Sequence, residues 1–177
     1  MKRILRKIER MIIKFVKLFD RKKYNNLFYR YIKHLGVNLK GKPRFIEDNV
    51  YFDPVDYTKI SIEEDTTISR NVTLLVHDYS ISRPFILHDK NVIGGCLIKP
   101  IHLKKGCFIG AGTIILPGTT VGVNTIIGAG SVIKGNIPDN VVFAGNPAHE
   151  IKTIDEYYKK IKESEISNIK LWKIKEE

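Results

Sequence analysis

Between Leu103 and Ile137 the chain repeats itself every six residues, as LKKGCF, IGAGTI, ILPGTT, VGVNTI, IGAGSV and IKGNIP. The first place of each hexad is aliphatic (Leu103, Ile109, Ile115, Val121, Ile127, Ile133), and the fifth is small in all but the last (Cys107, Thr113, Thr119, Thr125, Ser131). A period of six fits neither the 3.6 of a helix nor the alternation of a plain strand, so it marks a repeat architecture. It predicts a mainly β fold in which each hexad is one short strand and one turn and three hexads close a triangular coil. Aliphatic side chains then stack inward from coil to coil, and the small fifth residues fill the tighter space near each corner. Gly110, Gly112, Gly118, Gly122, Gly128 and Gly130 fall where the chain must turn.

Upstream the pattern persists in degraded form. Ile62, Ile68 and Leu74 open hexads, with Thr66 and Val72 in fifth place; Val50 keeps the register and Asp56 breaks it. An irregular first coil suits the end of a solenoid, so the coil is expected to begin near residue 45. From Leu74 to Leu97 the register fails, the interval falling one position short of four hexads. This predicts a loop over residues 77–96 extruded from a coil, with the repeat resumed at Leu97 and Leu103. Irregular excursions from a rigid scaffold often carry function.

The two ends read differently. Ile4, Leu5, Ile8, Met11, Ile12, Phe15, Val16 and Phe19 recur at spacings of three and four, one face of a helix whose other face is Lys and Arg. Gly36 closes this helical region. After Ile137 the repeat gives way to PDNVVFAGNPAHEI, and a terminal helix begins with Thr153 or Asp155 as cap. The organisation is thus a basic amphipathic extension over 1–40, a β-helix over 41–152, and a helix over 153–177.

The string PIHLKKGCFIGAGTIILPGTTVGVNTIIGAGSVIKGNIPDNVVFAGNPAHEI resembles the hexapeptide-repeat acyltransferases. Within them it is most similar to the maltose and galactoside O-acetyltransferases and the polysaccharide O-acetyltransferases. The resemblance runs from about Phe45 to Lys152 and is strongest from Pro100 to Ile151. It implies a left-handed parallel β-helix, an exception to the right-handed crossover rule. It also implies a homotrimer with active sites at subunit interfaces, acetyl-CoA as acyl donor and a saccharide hydroxyl as acceptor.

Composition narrows this little except through charge. The 177 residues suit one domain, 43% of them hydrophobic. No apolar run of about 18 residues is present, and the apolar residues near the N-terminus are too broken by charge for a secretory signal. Two cysteines, Cys96 and Cys107, give no disulfide framework, and a reduced cytoplasmic setting fits both. The net charge of +11 is concentrated: residues 1–34 hold twelve Lys and Arg against two acids, leaving +1 for the remainder. Such a segment suits an anionic membrane surface; equally, its apolar stripe can pack on the coil or on a neighbouring subunit. With no nucleic-acid-binding motif, that role is set aside.

Acyl transfer to an alcohol needs a base titrating near neutrality, which makes histidine the natural candidate. His77 opens the loop in VHDYS, where the resembling proteins carry a His-Asp whose histidine is the general base. Asp78 points to the opposite face of an extended strand and reads as a loop-start hydrogen-bonding residue, an acceptor contact at most. Asp53, in VYFDPVDYTKISI, resembles an acidic residue of the polysaccharide-modifying members and either orients His77 or binds the acceptor; it stands four hexads before His77, where direct stacking needs three. Arg83 and His88 lie in the loop as candidate acceptor contacts. His102 reads as an outward strand residue. The histidine spacings do not match the zinc-dependent hexapeptide-repeat carbonic anhydrases, so no catalytic metal is expected.

For the coenzyme, the resemblance places the pantetheine arm along the GAG turns, where Ala111 and Ala129, three hexads apart, match small family positions. Where the family has a Thr-Lys pair for the CoA phosphates this chain has Lys134 and Gly135, and Lys134, one place early, is a candidate phosphate contact as a mobile point charge. His149 replaces a common Arg, and Lys152 matches a second basic position. Two alternatives to saccharide O-acetylation stay open: an N-acetyltransferase acting on an aminosugar or antibiotic, and a non-catalytic trimeric scaffold docking on membrane.

Overall fold

The first place of the hexads is the interior of the molecule. In the computed structural model, which describes residues 2–164 and 169–170, Leu103, Ile109, Ile115, Val121, Ile127 and Ile133 are all buried. Short strands, most of two residues, line three sheets that are the faces of one prism, parallel throughout except where Ala148–Thr153 pairs antiparallel with Val141–Gly145. Side chains stack in columns along a face: Ile46 on Ile68 on Ile109 on Ile127 on Phe143, and Phe52 on Leu74 on Ile115 on Ile133. Regular coils advance by three hexads, as from Phe108 to Ile126.

The fifth places are buried for a second reason besides size. Thr113 Oγ1 donates to Gly110 O (2.8 Å), Thr119 Oγ1 to Leu116 O (2.6 Å) and Ser131 Oγ to Gly128 O (2.7 Å), so each hydroxyl ties off a turn from inside. The glycines divide into two kinds. Gly112 (φ +70°) and Gly130 (φ +70°) take the left-handed turn conformation, but Gly110 is needed for close approach: a Cβ there would lie 2.5 Å from the Ala129 nitrogen of the next coil.

Two expectations need correction. The coil begins with strand Asn38–Lys40, paired with Ser61–Glu63, and not near residue 45. The repeat resumes at Ile101 and Leu103, both buried, and not at Leu97. Leu97 and Ile98 instead pair antiparallel with Asp78 and His77, closing the neck of the extruded loop. Within that loop lies a short helix, Ser82–His88, and the Ser82 hydroxyl clamps Gly95 through its N–H (2.8 Å) and its carbonyl.

The N-terminal extension is two helices, α1 (Lys2–Lys17) and α2 (Arg21–Leu35), the second capped by Asp20 and ended by Gly36 at φ 117°. Tyr24, Phe28, Tyr29, Tyr31 and Ile32 of α2 are buried, covering the first coil as an end cap must. At the other end Thr153 and Glu156 form a capping box that starts a helix over Ile154–Ser164. The rest of the helix expected to residue 177 lies outside the described residues apart from 169–170. Among the described residues no helix is long and apolar enough to cross a membrane.

Candidate active site

Asp53 follows the strand Tyr51–Phe52, and its carboxylate is wholly buried. A buried charge must be met by hydrogen bonds, and this one is met four times. Oδ2 accepts from the backbone N–H of Val76 (2.9 Å) and of His77 (3.2 Å) and bonds closely to His77 Nδ1, while Oδ1 accepts from Val55 N (3.1 Å). The register explains how two residues four hexads apart meet. Tyr51 pairs with Thr73, beyond the three-hexad advance of a regular coil, because the turn over 54–59 lengthens the first coil. The Asp53 side chain spans the remaining step to His77.

With Nδ1 held by a carboxylate, the imidazole is fixed in orientation and in the tautomer that leaves Nε2 free to accept a proton. The His77 side chain is 21% exposed, with the Tyr79 ring edge-on at 4.9 Å between centroids. The histidine opens onto a cavity of about 150 Å³ lined by Leu75, His77, Asp78, Leu97, Leu116, Pro117 and Lys134. Asp78 accepts from Ser80 N (2.8 Å); its carboxyl is held below its ordinary value chiefly by the Ser80 hydrogen bonds.

The sequence-predicted residues thus fall into groups. Asp53, His77, Asp78 and Lys134 share one edge of the prism, between the face of Thr73–Leu74 and that of Ile101–Leu103. Ala111 and Ala129 stand on another edge, one coil apart, with Gly130 N donating to Ala111 O (2.8 Å). His149 pairs with Ala144, which touches the site of Gly128, and so extends that second edge. Lys152 pairs with Val142 near the far end of the same strand pair. Arg83 and His88 are exposed on the loop helix and do not line the His77 cavity. Sequence reasoning missed the walls of that cavity, Leu116 and Pro117. Their place one coil beyond Leu75 was the available signal, hidden by the loop between. Among the described residues no three His, Cys, Asp or Glu side chains gather as a metal set.

Residues 100–135 match the family Bacterial transferase hexapeptide (six repeats). The chain is 37% identical over 101 residues to the galactoside O-acetyltransferase of Escherichia coli K12, covering 57% of this chain and 47% of that protein. It is 37% identical over 149 residues to Protein CapG of Staphylococcus aureus, covering 84% of each. The matched stretch spans about half the length of several of the curated relatives. Among solved structures, a galactoside acetyltransferase in complex with coenzyme A shares the fold at a TM-score of 0.57 and 23% identity, over 95% of this chain and 90% of that one. The architecture is the left-handed parallel β-helix, with helices at both ends. Matched across most of its length and built on the six-residue period, the chain belongs to the hexapeptide-repeat acyltransferases.

Proposed function

We propose that the protein transfers an acetyl group from acetyl-CoA to a hydroxyl of a saccharide, a cell-surface polysaccharide or its lipid-linked precursor. His77 Nε2 takes the hydroxyl proton as the oxygen attacks the thioester carbonyl. The tetrahedral intermediate collapses, and the departing CoA thiolate recovers the proton from the imidazolium. Asp53 fixes the ring and offsets the imidazolium charge. The observation that carries this reading is the buried Asp53 carboxylate, satisfied by three backbone N–H groups and turned onto His77 Nδ1 at the mouth of a cavity.

The coenzyme would lie along Ala111 and Ala129, whose small side chains leave the backbone open, with His149 and Lys152 toward its phosphates. The galactoside relative solved with coenzyme A supports this choice of donor. Lys134, on the His77 cavity, stands near the reacting groups; Arg83, His88 and Asp78 meet the acceptor where it passes the loop. Because His77 and the Ala111–Ala129 turns occupy different edges of one prism, one reaction can use both only if a neighbouring subunit supplies one of them. This favours a homotrimer with interfacial sites. The setting we infer is cytoplasmic and peripheral, with residues 1–34 at an anionic membrane surface.

The test is release of CoA thiol from acetyl-CoA with saccharide and amine acceptors side by side. Wild-type protein is expected to turn over the saccharide, and His77→Ala to lower kcat by at least about 100-fold. Near-normal turnover in that variant would remove the mechanism, and preference for amines would replace the acceptor class.

A further inference from the structure

An amphipathic helix attached to a globular body ordinarily buries its apolar stripe and presents its charges to water. α1 does so only in part: Ile13 and Val16 turn inward, but most of its apolar stripe stays exposed. Lys17 Nζ bonds Glu47 (2.7 Å) and Asp48 (2.8 Å) on the first coil, and Arg10 donates to Asp48 O (3.2 Å). Ile13, 4% exposed, packs on the same inner side. At 3.6 residues per turn the opposite side carries Ile8, Met11, Ile12 and Phe15. These are 45%, 67%, 55% and 63% exposed, and Phe19, 76% exposed, continues the row with its ring 5.1 Å from that of Phe15.

Beside the row runs a groove of about 670 Å³ between α1 and α2. Ile8, Ile12, Ile13 and Leu27 form its apolar lining, while Arg30, Lys33 and His34 stand along it with Glu9. Residues 1–34 carry twelve cations against two acids.

We propose that the outward row of α1 and this groove seat the protein on an anionic lipid bilayer. The apolar row enters the boundary between headgroups and acyl chains, and the flanking cations pair with lipid phosphates. Charge complementarity decides between occupants: a second copy of this face would bring like cations together, whereas an anionic bilayer offsets them. On its other face α2 meets the coil that carries Asp53. Phe28, Tyr31 and Ile32 of α2 share a crevice with Phe52 and Pro54, which flank Asp53. A membrane-held saccharide is thereby brought to the coil that supports His77.

This inference rests on the membrane contact of residues 1–34 proposed above and adds which surface makes it; acyl transfer plays no part in the test. Full-length protein is floated with vesicles of phosphatidylcholine alone and of phosphatidylcholine with about 30% phosphatidylglycerol, a mixture that supplies the anionic surface potential. Wild-type protein is expected to float with the anionic vesicles, less so in high salt. Met11→Glu/Phe15→Glu, two exposed positions, is expected to partition at least about tenfold more weakly, with its circular dichroism and light-scattering mass unchanged. Failure of the wild type to float overturns both the inference and the membrane contact. Flotation equal in wild type and variant overturns the seat alone. A smaller assembly in the variant hands the row to a second copy and overturns the seat as well.

Discussion

Replacing Asp53 by Asn keeps the shape of the side chain and removes its charge. With the amide oxygen turned to His77, the bonds from Val76 N, His77 N and the imidazole survive. The amide NH2 then faces the Val55 N–H, which donated to a carboxylate oxygen 3.1 Å away. In the other orientation three donors lose their acceptor. The Asp53 side chain is sealed from water, so even the better orientation leaves the Val55 N–H and the amide N–H facing it without acceptors, at about 1–3 kcal/mol of stability for each. The effect on turnover is larger. The imidazolium formed as the acceptor is deprotonated would face a neutral amide where it had faced a carboxylate. Opposite unit charges about 4 Å apart are worth about 4 kcal/mol at an effective dielectric of about 20. His77 is 21% exposed, and solvent reduces that figure to roughly 2–3 kcal/mol, a fall in kcat of roughly 30- to 150-fold. The KM for acetyl-CoA should stay within about twofold, because only the transition state develops the charge. Thiol release under saturating acceptor measures kcat, and circular dichroism with thermal melting reports folding. A folded Asp53→Asn protein with kcat within about threefold of wild type would refute the electrostatic role given to the carboxylate.

Other predictions bear on fold and chemistry. Ile127 is fully buried between Ile109 and Phe143 in its column; Ile127→Ala should cost about 2–5 kcal/mol in denaturant unfolding, and a cost below about 1 kcal/mol would contradict the columnar core. Burial works to raise the Asp48 carboxyl, but the Lys17 ammonium outweighs it and holds the group below its ordinary value. The docking of α1 is therefore fully supported above the unfolded carboxylate range near about pH 4 and lost as pH falls through the lower folded value. Amide exchange in α1, corrected for its intrinsic pH dependence, should rise there; unchanged protection would contradict the pairing. Burial pushes the Cys107 thiol up to about 12, whereas Cys96 is half-buried in the loop. Alkylation at neutral pH should modify Cys96 alone until the protein is unfolded, as mass spectrometry would show.

The regular part of the fold was legible because one physical requirement recurs at one spacing: an inward aliphatic residue and a corner hydroxyl every six positions, from Leu103 to Ile133. His77 was legible as the residue standing where that spacing first fails. Asp53 was legible as a candidate, but not which role it takes, orienting His77 or binding the acceptor, because the turn after it stretches the first coil beyond three hexads and puts the pair out of the regular register. Leu97 misled for a related reason: it falls near the repeat phase, yet it pairs across the loop neck with Asp78. The periodicity of α1 revealed an apolar stripe without its direction. The carboxylates that draw its basic side inward, Glu47 and Asp48, lie on a turn of the first coil, beyond the whole of α2.

The central claim is that His77 of one subunit works on a donor held by the Ala111–Ala129 edge of its neighbour. Co-expressing His77→Ala chains with Ala129→Trp chains, each expected to be inactive alone, tests it directly. Random assembly of equal amounts leaves an intact histidine beside an intact alanine edge at one half times one half of the sites, so thiol release should recover to about one quarter of wild type. No recovery in a folded mixed assembly would mean that both elements act within one chain, and the account of the site would be wrong.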